Sequence, residues 1–344
     1  MAVETQVPNQ ALLQAQARYR LHPLHAAEYT LERCQRIIEL QAKIRRLKLE
    51  RNAIILAHSY VRSEILDVAD TVADSYALSL EAVKHPEKDV ILFAGVLFMA
   101  ETAKILSPEK TVLIPDRQAG CSLAESTGDI RQIQHWLSDL KRQYNDLVKV
   151  TYINSTAEVK ALCDVVVTSS NVRRILDKLP QKHIAFMPDK FMGAFLQEQM
   201  PERIFHLWDG TCMVHEQITP AEYQRILAQW PDAVLLTHME APLQTSQMSH
   251  FVGSTTQMMD YAAKLPDGTT VVLGTACGVP TILREQHGQR LNIVGGCYTC
   301  PHMERNTIEG VYAALRDLKP QIQLPDTVMQ AARKALQQMM ALAG

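Results

Sequence analysis

Short runs of β-branched and aliphatic residues alternate with helix-length amphipathic stretches from residue 53 to residue 294. This alternation leaves the chain few options, because strands separated by helices pair through βαβ units into parallel sheets covered on both faces. The runs fall into three sets: 53–58, 89–94 and 111–115; then 149–153, 164–168, 183–188 and 203–208; then 233–238, 250–252, 270–274 and 291–294. Each set ends in a cysteine, Cys121, Cys212 or Cys300, spaced 91 and 88 residues apart. Such even spacing predicts three similar α/β modules, each delivering one ligand to a shared centre.

Length agrees with three modules, since 344 residues exceed what one core usually organises. The expected division is leading helices in 1–50, a first domain of 51–125 plus 296–344, a second of 126–212 and a third of 213–295. Leu31, Cys34, Ile37, Ile38, Ile44 and Leu47 recur at helical spacing in the leading part, and 307–344 reads as closing helices packed back on the first module. A formal charge of -2 gives no reason to expect nucleic acid or an anionic membrane as partner, which would require clustered Lys and Arg. Anionic small substrates remain open to it through local sites. Residues 1–10 lack the layout of a signal peptide, and no apolar stretch reaches membrane-spanning length, so a cytoplasmic location is expected. In that compartment the seven cysteines are expected to be reduced thiols or metal ligands, not a disulfide framework.

The strand ends are polar. First runs end in His58-Ser59-Tyr60, Tyr152 with Asn154, and His238-Met239-Glu240; the runs read as second strands end in Ala94-Gly95, Ser169-Ser170-Asn171 and Gly253-Ser254-Thr255. For a single strand, a polar residue at this point is ordinarily the start of a loop. Six such ends from three modules instead suggest a common cavity, because ligands of open α/β sheets gather at the carboxyl ends of strands.

Cysteine spacing constrains the metal. Zinc fingers and ribbons take ligands in close pairs, and only Cys297-Tyr298-Thr299-Cys300 is such a pair; a local ferredoxin run is also absent. One thiolate per module suits a cubane iron–sulfur cluster that keeps one iron open as a Lewis acid. Cys34 and Cys163 read as packing residues. Cys277, flanked by Ala276 and Gly278, is ambiguous with a preference for packing, and spacing alone leaves Cys297 and Cys300 as competitors for the third ligand position.

Several segments together resemble the quinolinate synthases, iron–sulfur enzymes of NAD biosynthesis. They are Ala57-His58-Ser59-Tyr60, Asp74-Ser75, the run from Gly95 to Lys104, Ala119-Gly120-Cys121-Ser122, Thr151-Tyr152-Ile153-Asn154, Val167-Thr168-Ser169-Ser170, Pro188-Asp189-Lys190, Trp208-Asp209-Gly210-Thr211-Cys212 with Val214-His215, Val252-Gly253-Ser254-Thr255 and Cys300-Pro301-His302-Met303. The likeness runs from about residue 50 to 310. It implies three pseudo-equivalent three-layer αβα domains with short parallel sheets around a pseudo-threefold axis, and a central 4Fe-4S cluster on Cys121, Cys212 and Cys300. The third ligand follows from the likeness because the family's cysteine precedes Pro-x-Met, which makes Cys297 a spare neighbour.

The implied reaction condenses iminoaspartate with dihydroxyacetone phosphate to give quinolinate, phosphate and water. An aspartate-oxidising enzyme is the implied metabolic neighbour. By the same likeness Ser254 and Thr255 bind phosphate, while Ser75, Tyr152, Asn154 and Ser169 hold the substrate carboxylates or nitrogen. Glu240 is the first candidate for proton transfer, assisted by His238, His58 and Tyr60, which also face substrate, and Val96 and Met99 form apolar wall. Two departures stand out: the usual His-Pro-Glu is His238-Met239-Glu240, and the acidic residue often found after the 270–274 strand is missing at Ala276. They keep open a paralogue acting on a different imino acid or sugar phosphate. A non-enzymatic iron–sulfur redox sensor is a third reading, and Cys297 with Cys300 offers a redox pair.

Overall fold

The structure is a computed structural model that describes residues 8–22, 24–295 and 297–344. β1 (Ala53–His58), β2 (Thr71–Ala73), β3 (Val90–Ala94) and β4 (Thr111–Leu113) form a parallel sheet ordered β2-β1-β3-β4. β5 (Leu147–Tyr152), β6 (Val165–Val167), β7 (His183–Met187) and β8 (Ile204–Leu207) repeat it as β6-β5-β7-β8. β9 (Val234–His238), β10 (Phe251–Gly253), β11 (Thr270–Gly274) and β12 (Asn292–Val294) repeat it again as β10-β9-β11-β12. The same order three times over, with helices flanking each sheet, is the three-unit α/β architecture that the alternating pattern predicts.

Burial explains why most strands were legible. β1 and β3 are buried at every residue, so their sequences are continuous apolar runs. Ile55, Leu56, Ile91 and Leu92 are among the fully buried side chains, each worth about 1.5–3 kcal/mol of burial. β2 has no such run: its Thr-Val-Ala is partly exposed at the sheet edge and pairs with β1 through three register positions, Leu56 to Thr71, Ala57 to Val72 and His58 to Ala73. The second strand of the first unit therefore ends at Ala73-Asp74-Ser75. Ala94-Gly95, read from the sequence as a second end, closes the third strand.

The helix Leu31–Glu50, opened by the Thr30 hydroxyl on the Arg33 amide, lies against β1 and the helix Ile308–Asp317. Ile308–Asp317 also meets β3. The last helix, Asp326–Ala343, runs along Ala157–Leu162, β6 and Val172–Asp177 and reaches Leu97–Leu106, so the C-terminal segment spans the seam of the first two units. One continuous apolar core contains residues of both. The third unit packs separate cores on the faces of its own sheet. It meets the first unit at Gly278, where a Cβ would stand 2.2 Å from the Ser59 carbonyl oxygen and 2.6 Å from Tyr60 Cα. Only glycine allows that approach to the turn after β1.

One expectation about thiols is corrected: Cys277 and Cys297 are joined in a disulfide. The third unit brings them together, because the Cys277 amide donates to the Tyr298 carbonyl at 3.0 Å and Ala276 forms a bridge with Tyr298. Cys297 is thus not bonded to Cys300, which is free along with Cys34, Cys121, Cys163 and Cys212. Among the described residues no helix is long and apolar enough to cross a membrane.

Candidate active site

One cavity, with about 700 Å³ of atom-free space including its mouth, is lined by strand ends of all three units. First-strand ends supply His58 and Tyr60, Tyr152 and Asn154, and His238 and Glu240; second-strand ends supply Asp74 and Ser75, Ser169 and Ser170, and Thr255. Cys121, Cys212 and Cys300 share the wall with apolar Val96, Phe98 and Met99. Ser254 alone among the expected site residues is not part of the cavity lining. It is fully buried, and its hydroxyl accepts the Gln257 amide at 3.3 Å while Gln257 returns to the Ser254 amide at 2.9 Å, a capping box for the helix Thr255–Ala263. At the two departures, Met239 is buried and Ala276 lines the cavity.

A continuous polar relay runs through the cavity wall. The Tyr152 hydroxyl donates to Glu240 Oε1 at 2.5 Å, and His215 Nδ1 lies 2.9 Å from Glu240 Oε2 and 3.2 Å from Cys212 Sγ. On the other side of the ring, His215 Nε2 is 3.1 Å from Thr275 Oγ1, which sits 2.8 Å from the Tyr60 hydroxyl; Thr255 Oγ1 is 3.0 Å from that same hydroxyl. The His215 ring stacks on His238 with centroids 4.7 Å apart.

Burial sets the charge states. It pushes His58 and His238 down to about 4, so both are neutral imidazoles near pH 7, and it pushes Tyr60 and Tyr152 upward, so both remain donors. Burial would raise the Glu240 carboxyl as well. Here the neighbouring His215 and His238 and the hydrogen bonds from His215 and Tyr152 outweigh it and hold the group well below the usual carboxylate range. Glu240 is therefore an ionised acceptor between a phenol and an imidazole.

Three contributors had escaped the sequence reading. His215 stood in the Val214-His215 motif without a role, and its partners lie up to 60 residues away. Thr275 carried no signal. Asp74, before Ser75, has the signature of a helix N-cap, and its Oδ1 does accept the Ala77 amide at 3.0 Å. Its Oδ2 accepts the Ser170 hydroxyl at 2.7 Å and the Thr256 hydroxyl at 2.8 Å, so one carboxylate of the first unit holds the second and third.

The three cavity thiols share one local geometry. Each sulfur faces the backbone amides of the second and third residues after it: Leu123 and Ala124 for Cys121, Val214 and His215 for Cys212, His302 and Met303 for Cys300. Burial raises all three thiols, Cys121 to about 12, and the mutual repulsion of Cys121 with Cys212 and Cys300 adds to it. Together the thiols resist ionising, yet each has amides ready for a thiolate. A bound cation reverses that balance, so the donor set fits a thiolate-ligated metal centre with amide hydrogen bonds to sulfur.

The family model described as quinolinate synthetase A protein matches residues 42–341. The quinolinate synthase of Ehrlichia chaffeensis is 40% identical over 315 residues, covering 89% of this chain and 98% of its own. Those of Caldicellulosiruptor bescii and Clostridioides difficile are each 39% identical, over 304 and 306 residues, covering 88% and 89% of this chain and 98% of their own. Agreement of this extent, which takes in all three sheets and all three cavity cysteines, makes the chain an enzyme of the quinolinate synthetase A family.

Proposed function

We propose that the cavity condenses iminoaspartate with dihydroxyacetone phosphate to quinolinate, releasing phosphate and two waters, with a 4Fe-4S cluster held by Cys121, Cys212 and Cys300. When bound, such a cluster supplies an open Lewis-acidic iron, since three thiolates leave one iron without a protein ligand. The observation that carries this reading is the relay from Tyr60 through Thr275, His215 and Glu240 to Tyr152, which passes within 3.2 Å of the Cys212 sulfur. Carbon–carbon bond formation, ring closure and dehydration all need protons moved, and this relay is the ionisable machinery at hand.

In this reading Glu240, ionised and oriented by two donors, takes protons together with His215, and the neutral His238 and His58 give or accept hydrogen bonds at substrate oxygens. Tyr152, Asn154, Ser75 and Ser169 hold the substrate carboxylates and nitrogen. Thr255, on the first turn of the helix Thr255–Ala263, presents its hydroxyl and the positive end of the helix to the phosphate, with the Tyr60 hydroxyl beside it. Ser254 contributes by capping that helix. Val96 and Met99 supply apolar lining that excludes water. The product feeds NAD biosynthesis, and an aspartate-oxidising enzyme is the source of iminoaspartate in the cytoplasm.

The test is an anaerobic assay of wild type and Glu240→Gln with both substrates, with iron content measured in each. The variant should keep its iron and lose about 10²–10⁴-fold in turnover. Unchanged turnover removes Glu240 from proton transfer, and a fully iron-loaded wild type that makes no quinolinate overturns the substrate assignment.

A further inference from the structure

Away from the cavity, a second group of donors converges where the leading segment meets the loop of Cys300. His22 is 8% exposed, and its Nδ1 is buried with no hydrogen-bond partner. The His25 ring lies 4.5 Å from that of His22, and Glu304 follows Cys300 in the turn Met303–Arg305. One ligand atom from each of the three residues falls within 4.8 Å of the others.

The orientation of His25 is informative. Its Nδ1 is held by Glu28 Oε1 at 2.5 Å, the carboxylate–imidazole arrangement that fixes the tautomer of metal-bound histidines. In the neutral ring with its proton on Nδ1, Nε2 carries the electron pair that a metal would take. Nε2 lies 3.0 Å from Glu304 Oε2 yet makes no aligned hydrogen bond there. Two ligands of a tetrahedral zinc-class ion, each about 2.1 Å from it, stand about 3.4 Å apart, so Nε2 and the Glu304 carboxylate lie within reach of one ion.

Arg62 secures the surroundings, binding Glu28 Oε2 at 2.7 Å and Glu304 Oε2 at 2.8 Å. Among the described residues, no protein donor takes Glu304 Oε1. The two carboxylates, Glu28 and Glu304, face the guanidinium of Arg62, and Arg284 also lies near His22. Burial also pushes His22 down to about 4, which keeps its ring neutral and able to ligate.

We propose that His22, His25 and Glu304 form a second metal site, for a divalent transition cation of the zinc class, which fastens the leading segment to the loop that carries Cys300. Two imidazoles, one carboxylate and an open position suit such an ion, and they do not suit calcium or magnesium, which take oxygen ligands. Its role is to hold the Cys300 loop in place from outside the cavity.

Equilibrium dialysis against Zn²⁺ tests this, with wild type and a His22→Ala/His25→Ala variant purified anaerobically and iron measured in both, so that metal on the cavity thiols is counted separately. Wild type should bind about one more zinc than the variant, with affinity at least about 10–100-fold higher. Zinc should also raise the melting temperature of wild type alone. Glu304→Gln, which preserves side-chain shape, should weaken zinc binding in the same direction and serves if the double variant does not fold. Equal zinc in wild type and a folded variant, no zinc in either at micromolar concentration, or an unaltered affinity in Glu304→Gln would overturn the site.

Discussion

Replacing Asp74 with alanine should loosen the three-unit assembly more than its position beside the cavity suggests. The carboxylate makes three contacts: the cap on the Ala77 amide at 3.0 Å and the hydroxyls of Ser170 at 2.7 Å and Thr256 at 2.8 Å. A helix cap is worth about 1 kcal/mol and a hydrogen bond to a charged group at least about 1.5 kcal/mol. The sum is about 4 kcal/mol, of which about 3 kcal/mol crosses between units. Urea unfolding of Asp74→Ala, Ser170→Ala, Thr256→Val and the pairwise doubles apportions it. Ser170→Ala and Thr256→Val should each cost about 1.5 kcal/mol alone and almost nothing in the Asp74→Ala background, because their partner is already gone. Full additivity, or an Asp74→Ala cost below about 1 kcal/mol, would refute the reading of Asp74 as the tie between units.

Acid should destabilise the fold between pH 6.5 and 4. His58 and His238 sit near 4 in the folded chain against 6.5 when unfolded, so in that window the unfolded state binds the more protons; each group contributes about 3 kcal/mol above pH 6.5 that is lost as pH falls through 4. A urea midpoint unchanged from pH 7 to pH 4.5 would contradict this. Tyr152→Phe removes the donor on Glu240 Oε1 and one cause of its lowered pKa, so kcat/KM should fall about 10–100-fold and the acid limb of its pH profile should move upward; an unmoved limb would separate Glu240 from that limb. Cys277→Ser opens a disulfide with a sequence separation of 20 and should cost about 3 kcal/mol under oxidising conditions, with wild type falling to the same stability under dithiol reductant. Indifference of wild type to the reductant would contradict a stabilising bond.

What the sequence revealed, and what it hid, follows from how local each signal is. β1 and β3 announced themselves because burial on both faces demands an unbroken apolar run, whereas β2 needs only backbone hydrogen bonds at an edge and leaves no mark in Thr71-Val72-Ala73. The paired polar residues at first-strand ends were legible because they follow strands, and the structure brings all six of them to the cavity. Ser254 shows where this logic stops: a hydroxyl between strand and helix has the same local signature whether it binds phosphate or caps the helix, and here it accepts the Gln257 amide as a cap while its own proton stays available to a ligand. His215 and Thr275 were illegible for a related reason, since the value of each lies in partners contributed by other strand ends. Cys297 and Cys300 were equal by spacing, and the family likeness favoured Cys300. The fold adds a physical distinction, because Cys297 is bonded to Cys277 while Cys300 stays free on the cavity wall.

The most direct test of the account is anaerobic quinolinate formation from iminoaspartate and dihydroxyacetone phosphate, measured per iron for wild type and Cys300→Ser. The account predicts about four irons per wild-type chain with product formed, and loss of both in the variant. Zinc in place of iron, or a variant that retains its iron and turns over like wild type, would contradict it.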